Sequence, residues 1–215
     1  MWPPVLLNKK YFIRTPSWLM TFYPNRIWRI PAQRSLFLTF DDGPDPVTTP
    51  RLLDLLDKYQ AKASFFCLGE NARAHPDILN RIITEGHTLG THGTTHLDGW
   101  ESDTESYIEN IRSSADDIST FWFRPPYGRI TSRQERILRQ NYKIVMWSLM
   151  PGDFDATVSD EELRRRIVEK TREGDIIVLH DRTANPDRLL GTVDELLKYF
   201  TESGYKFLSL DNAVR

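Results

Sequence analysis

Three observations on this chain of 215 residues predict an α/β fold arranged as a β/α barrel. Short apolar runs such as Ile176-Ile177-Val178-Leu179 alternate with segments of helical periodicity, the pattern of repeated βα units and a mainly parallel sheet. About seven such runs occur between Ser35 and Leu208. Carboxylates, imidazoles and an arginine recur at or just after the ends of these runs, where a β/α barrel carries its chemistry. A doubly wound open sheet satisfies the same alternation and is the alternative.

Residues 1–30 come first and differ in character. Trp2, Tyr11, Phe12, Trp18, Phe22, Tyr23 and Trp28 stand among prolines and basic residues, without the continuous apolar core and small-residue cleavage site of a signal peptide. This stretch is expected to pack across a domain formed by residues 31–215, and a peripheral membrane or partner contact is the sharper alternative. Strands are then expected at Ser35 to Phe40, Ala63 to Leu68, Thr88 to Thr91, Trp122 to Arg124, Lys143 to Ser148, Asp175 to His180 and Tyr205 to Leu208. Between them the apolar spacing predicts helices at Thr49 to Tyr59, Asn71 to Glu85, Thr104 to Ser119, Arg133 to Asn141, Ser159 to Thr171 and Pro186 to Ser203.

Composition narrows the function classes. With 28 basic and 30 acidic side chains the net charge is −2, which argues against a dedicated nucleic-acid binder. The basic run Leu163-Arg164-Arg165-Arg166 is flanked by Glu161, Glu162 and Glu169 and reads as a solvated helix face. No apolar run is long enough to span a bilayer. The single cysteine, Cys67, precludes an intramolecular disulfide and lies in an apolar run where burial would dull its thiol.

The chemistry is carried by four constellations. Thr39-Phe40-Asp41-Asp42-Gly43-Pro44 ends an apolar run with adjacent carboxylates, which can divide metal binding and proton transfer between them. The same residues also make a good turn, since Asp caps, Gly accepts positive φ and Pro fixes φ. His92 and His96 lie four apart in Gly90-Thr91-His92-Gly93-Thr94-Thr95-His96; on a helical turn both rings would share a face and reach one ion, with Asp41 or Asp42 as third ligand. His87, in a Gly-His pair just before a strand, reads as structural.

The third constellation is Phe121-Trp122-Phe123-Arg124-Pro125-Pro126-Tyr127-Gly128, an aromatic strand ending in a cation and a stiff turn. An arginine there can orient a carboxylate, and a fixed N–H can receive an oxyanion. The fourth is Leu179-His180-Asp181, a histidine at a strand end suited to general acid work.

Together these motifs resemble the polysaccharide deacetylases of carbohydrate esterase family 4, the NodB-homology family. The resemblance runs from about Leu36 to His180 and continues more weakly to Leu210. It implies a distorted barrel of seven β/α units and a metal-dependent hydrolase that removes N-acetyl groups from a chitooligosaccharide-like or peptidoglycan-like glycan. It also implies site roles: Asp41 as the base that activates the attacking water, and Asp42, His92 and His96 as ligands of a divalent metal. The ion would be zinc, with cobalt and nickel as alternatives. Arg124 would orient the base, the backbone N–H of Tyr127 would help hold the oxyanion, and His180 would protonate the leaving amine. The supporting carboxylate aligns with Asp153, and Asp155 competes for that role.

Three positions depart from the family pattern. Gly93 stands where Ser or Thr is usual, Met150 where Asp is usual, and Phe154 where Trp is usual. The loop hydrogen bond missing at Gly93 would have to come from Thr94 or Thr95, and the groove wall should be less polar. Two other readings follow: an amidohydrolase of non-sugar linear or cyclic amides on the same scaffold, and a glycan-binding domain that has lost catalysis. The absence of a signal peptide favours the cytoplasm, whereas a polymeric glycan favours the envelope.

Overall fold

The computed structural model describes residues 11–213. In chain order the elements are α1 (Ser17–Phe22), β1 (Ser35–Asp41), α2 (Thr48–Lys58), β2 (Ser64–Cys67), α3 (Gly69–Ala74), α4 (Pro76–Thr84), β3 (Thr88–Thr91), α5 (Thr104–Ser113), β4 (Trp122–Phe123), α6 (Ser132–Leu138), β5 (Lys143–Ile144), α7 (Asp160–Lys170), β6 (Ile176–His180), α8 (Pro186–Glu202), β7 (Lys206–Phe207) and α9 (Leu210–Ala213). The seven strands form one parallel sheet in the order β5-β4-β3-β2-β1-β6, with β7 joined to the start of β1. This is the distorted β/α barrel expected from the motifs. The ladder does not close: among the described residues no ladder joins β5 to β6, and the stretch after β5 meets β6 through the isolated bridge Leu149–Ile177 and the backbone hydrogen bonds around it.

β1 is buried along its whole length, because helices cover one face and the barrel interior the other. Its side chains alternate. Leu36, Leu38 and Phe40 pack outward with Leu52, Leu53 and Leu56 of α2 and Val193, Leu196 and Leu197 of α8. Phe37 packs inward with Phe66, Trp122, Val145 and Ile176. Thr39 and Asp41 share the parity of Phe37, so Asp41 arrives inside the C-terminal mouth. In β6, Ile177 and Leu179 belong to the outer cluster and Ile176 to the inner one, which brings His180 to the same mouth.

Several expected elements are shorter or broken, each for a local reason. The helix expected from Asn71 to Glu85 is two, α3 and α4, parted at His75. Its extended φ of −134° is what a residue before proline adopts, and Pro76 then starts the second helix. The helix expected to reach Ser119 leaves α-geometry after Ser113. Ser114, fully buried, there bonds Thr91 and the carbonyl of Ile111, and a short 3-10 turn follows. The strand expected from Lys143 to Ser148 pairs with β4 only at Trp122 and Phe123. Beyond that it runs extended between two other partners, Ile27 and β6.

Residues 11–30 lie along that seam. Met150 donates to the Ile13 carbonyl and Thr15 to that of Ser148, while Ile27 donates to the Ile144 carbonyl and accepts from the Met146 N–H. Arg14 pairs with the fully buried Asp175 at 2.6 Å and also reaches the carbonyl of Lys170. Exposed strand edges invite foreign pairing, and this segment covers one. The expected packing of Trp2 concerns a residue outside the described ones.

Candidate active site

Asp41 and His180 face each other as paired residues at the ends of β1 and β6. Arg124 follows β4 into the barrel and is fully buried. Its Nη1 donates to Asp41 Oδ1 at 2.6 Å and to Thr39 Oγ1 at 2.7 Å, and its Nη2 donates to the Met146 carbonyl at 3.0 Å. The guanidinium also lies 4.1 Å from the centre of the Phe66 ring. Burial lowers the pKa of Arg124 and the Asp41 charge opposes that. A charged pair this dry depends on both partners, and removing one typically costs about 3–5 kcal/mol.

Asp42 turns away from Asp41 because its backbone is left-handed, φ 77°, an uncommon state for a residue with a Cβ. The amide of Asn71 holds its carbonyl at 2.7 Å. Its Oδ1 lies 3.6 Å from His92 Nε2 and 3.3 Å from His96 Nε2. Among the described residues, these three side chains bring ligand atoms within 4.8 Å of one another. His92 Nδ1 donates to the Arg124 carbonyl at 2.8 Å, which leaves Nε2 as the free donor pair, the usual arrangement of a metal-binding imidazole. Asp42 Oδ1 is buried and has no hydrogen-bond partner, a costly state that a cation would relieve. Two imidazoles and a carboxylate are therefore a fitting divalent-metal set.

The two histidines do not sit on a helix as their spacing suggested. They flank a loop after β3, and the rings meet because that loop doubles back, with centroids 5.0 Å apart. Gly93 makes the reversal at φ 90°, where a Cβ would come within 2.7 Å of Asn110 Nδ2. Asn110 of α5 staples the loop, accepting from the N–H and hydroxyl of Thr95 and donating to its carbonyl, each at 2.9 Å. Thr94 adds a bond to Ser113 at 3.0 Å. Thr94 and Thr95, the two residues after Gly93, thus both tie the loop to α5.

His180 is set by Asp153. The Asp153 carboxylate accepts the backbone N–H of His180 at 2.7 Å and lies 3.2 Å from its Nδ1, so Nε2 faces the mouth. Burial pulls the His180 pKa down, but Asp153, reinforced by Asp41 and Asp42, overrides it and raises the value to about 9. Asp155 faces elsewhere, bonding Tyr11 and Thr157. The Phe154 ring, half exposed, stands edge-on to His180 with centroids 5.2 Å apart. Met150 contributes its backbone N–H to Ile13.

Tyr127 adopts φ 57° beyond the Pro-Pro turn, and its exposed ring packs 4.4 Å from His96. Arg129 lies 5.7 Å from that ring and 5.1 Å from the exposed ring of Trp100. His87 accepts the Ala63 N–H and stands edge-on to Phe65; burial, aided by Lys62 and Arg81, lowers its pKa to about 4. Burial pushes the Cys67 thiol well up, so it is no nucleophile.

Three contributors escaped sequence reasoning. Thr39 and Asn110 act only through hydrogen bonds to residues distant in sequence. Asp181 follows His180 but has the opposite strand parity. It is fully buried under Gly43, accepts from Thr49 at 2.5 Å, and burial together with Asp42 and Asp41 raises its pKa to about 7. Its adjacency to His180 was the available signal, and alternation along β6 would have placed it.

A parallel β/α barrel whose mouth joins two imidazoles and a carboxylate to a second carboxylate and a histidine is the scaffold of a metal-assisted hydrolase. Residues 29–144 match the polysaccharide deacetylase family, and the chain belongs to it. It is 30% identical over 197 residues to a peptidoglycan-N-acetylglucosamine deacetylase of Bacillus cereus, covering 87% of this chain and 92% of that one. A chitooligosaccharide deacetylase of Sinorhizobium fredii is 34% identical over 74% of this chain and 76% of its own. The solved structure of a peptidoglycan N-acetylglucosamine deacetylase superposes with a TM-score of 0.83 at 29% identity, covering 92% of this chain and 95% of that chain.

Proposed function

We propose that this protein hydrolyses the N-acetyl amide of N-acetylglucosamine units in a glycan of the peptidoglycan or chitooligosaccharide type, with zinc held by Asp42, His92 and His96. The observation that carries this reading is the convergence of that ligand set with the Arg124-bound Asp41 and the Asp153-bound His180 at one barrel mouth. A cation held there supplies Lewis acidity, lowering the pKa of water and polarising the carbonyl.

The rest falls to the side chains. Asp41 takes the proton of the attacking water, and Arg124 aims the carboxylate while leaving its second oxygen for that proton. The backbone N–H of Tyr127 donates to the developing oxyanion. His180, kept protonated by Asp153, delivers a proton from Nε2 to the leaving amine. A sugar ring has apolar faces, and the exposed rings of Tyr127 and Trp100 suit them.

A panel of N-acetylglucosamine oligomers, peptidoglycan fragments and small linear and cyclic amides tests the substrate class through product release. Acetate from the sugars and no turnover of the amides is expected. Turnover of the amides alone would replace the sugar reading with the amidohydrolase one.

A further inference from the structure

The aromatic stretch before β1 covers a seam, and Tyr11 within it lies against the segment that carries Asp153. Its hydroxyl donates to Asp155 Oδ2 at 3.0 Å and accepts from Arg166 Nη1 at 3.2 Å. The same Nη1 donates to the Pro151 carbonyl at 2.8 Å. Both ends of the segment 151–155 are thereby tied to Arg166 of α7, Pro151 directly and Asp155 through the phenol. Gly152 permits the approach, since a Cβ there would collide with the Tyr11 hydroxyl.

That segment carries Asp153 and Phe154. The Tyr11 ring packs on Phe154 with centroids 5.1 Å apart at 60°, and Phe154 packs on His180 at 5.2 Å and 84°. Half of Phe154 faces solvent, and its ring packs on both Tyr11 and His180. Removing Tyr11 would free the ring to turn into water and loosen the turn that presents Asp153.

We propose that Tyr11 is a positioning residue: it holds Phe154 against His180 and fixes the wall of the cleft on the side of the general acid. The kinetic part of this inference rests on the deacetylase reading; the structural part does not. The test compares wild type, Tyr11→Ala and Tyr11→Phe as zinc-loaded proteins, reading the nuclear Overhauser contact between the Phe154 and His180 rings together with kcat and KM for acetate release. The contact should be present in wild type, absent in Tyr11→Ala and weakened in Tyr11→Phe, which keeps the ring but not its hydroxyl bonds. In Tyr11→Ala, kcat should fall about tenfold with a smaller change in KM, the signature of a misplaced catalytic group. If Tyr11→Ala does not fold, Tyr11→Leu, which lacks both the ring and the hydroxyl, carries the same expectations. The inference is overturned if the ring contact persists without the tyrosine ring, or if it is lost with kcat unchanged. Should wild type itself release no acetate, the deacetylase reading falls, and the ring contact alone decides the role of Tyr11.

Discussion

Asp41 and Asp42 are adjacent in sequence but live in different surroundings, and the division of labour proposed for them rests on that difference. Strand parity sends Asp41 inward onto Arg124, whereas the left-handed turn of Asp42 points it at two imidazoles. His180 shows the same dependence on a partner. Because Asp153 raises its pKa to about 9, His180 stays protonated at neutral pH, and kcat/KM should fall only as pH rises through that value. Asp153→Asn removes the charge that raises the pKa, so the falling alkaline limb should move to lower pH by about 1–2 units; an unmoved limb in a pH–rate profile would deny Asp153 this role. The acids and histidines at the ends of apolar runs were legible because polar groups there are costly without a use. Thr39 and Asn110 were not, since a hydroxyl or amide that bonds a remote loop carries no local signature.

At the scale of elements, the loop after β3 decides whether His92 and His96 can meet. Spacing brought out two rings that do meet, but on a different backbone: a four-residue interval suits one helical turn, whereas here a glycine reversal stapled by α5 produces the convergence. Gly93→Ser, which restores the residue type usual in the family, should therefore harm this chain. Its Cβ would press on Asn110 Nδ2 in a left-handed backbone, and a loss of about 1–3 kcal/mol is expected by chemical denaturation. An unchanged or higher stability would show that the loop can relax around the added side chain. The break at Pro76 was readable from proline alone, whereas the early end of α5 depended on the buried Ser114 hydroxyl finding Thr91 across the fold.

On the scale of the whole molecule, seven β/α units were apparent from alternation, but their imperfect closure was not. Hydrophobic period reports which face of a strand is buried, not which neighbour it pairs with, so the switch of the chain after β5 from β4 to Ile27 and β6 left no trace in it. Residues 11–30 complete the seam, and Arg14 is their charged anchor on Asp175. Asp175 keeps bonds from Ser148 and the Arg172 N–H when that anchor is removed. Arg14→Ala should accordingly cost about 1–3 kcal/mol rather than abolish folding, read from the midpoint of denaturant unfolding. No loss would mean that the segment is a passive cover.

The division of labour between the two adjacent aspartates is tested most directly by measuring bound metal and acetate release side by side in wild type, Asp41→Asn and His96→Ala, each stripped of metal and reloaded with zinc. Asp41→Asn should bind metal as wild type does while its turnover falls about 10²–10⁴-fold, the range for losing a general base; His96→Ala should lose metal and activity together. Full turnover by Asp41→Asn, or loss of its metal, would contradict the assignment of Asp41 as base and Asp42 as ligand.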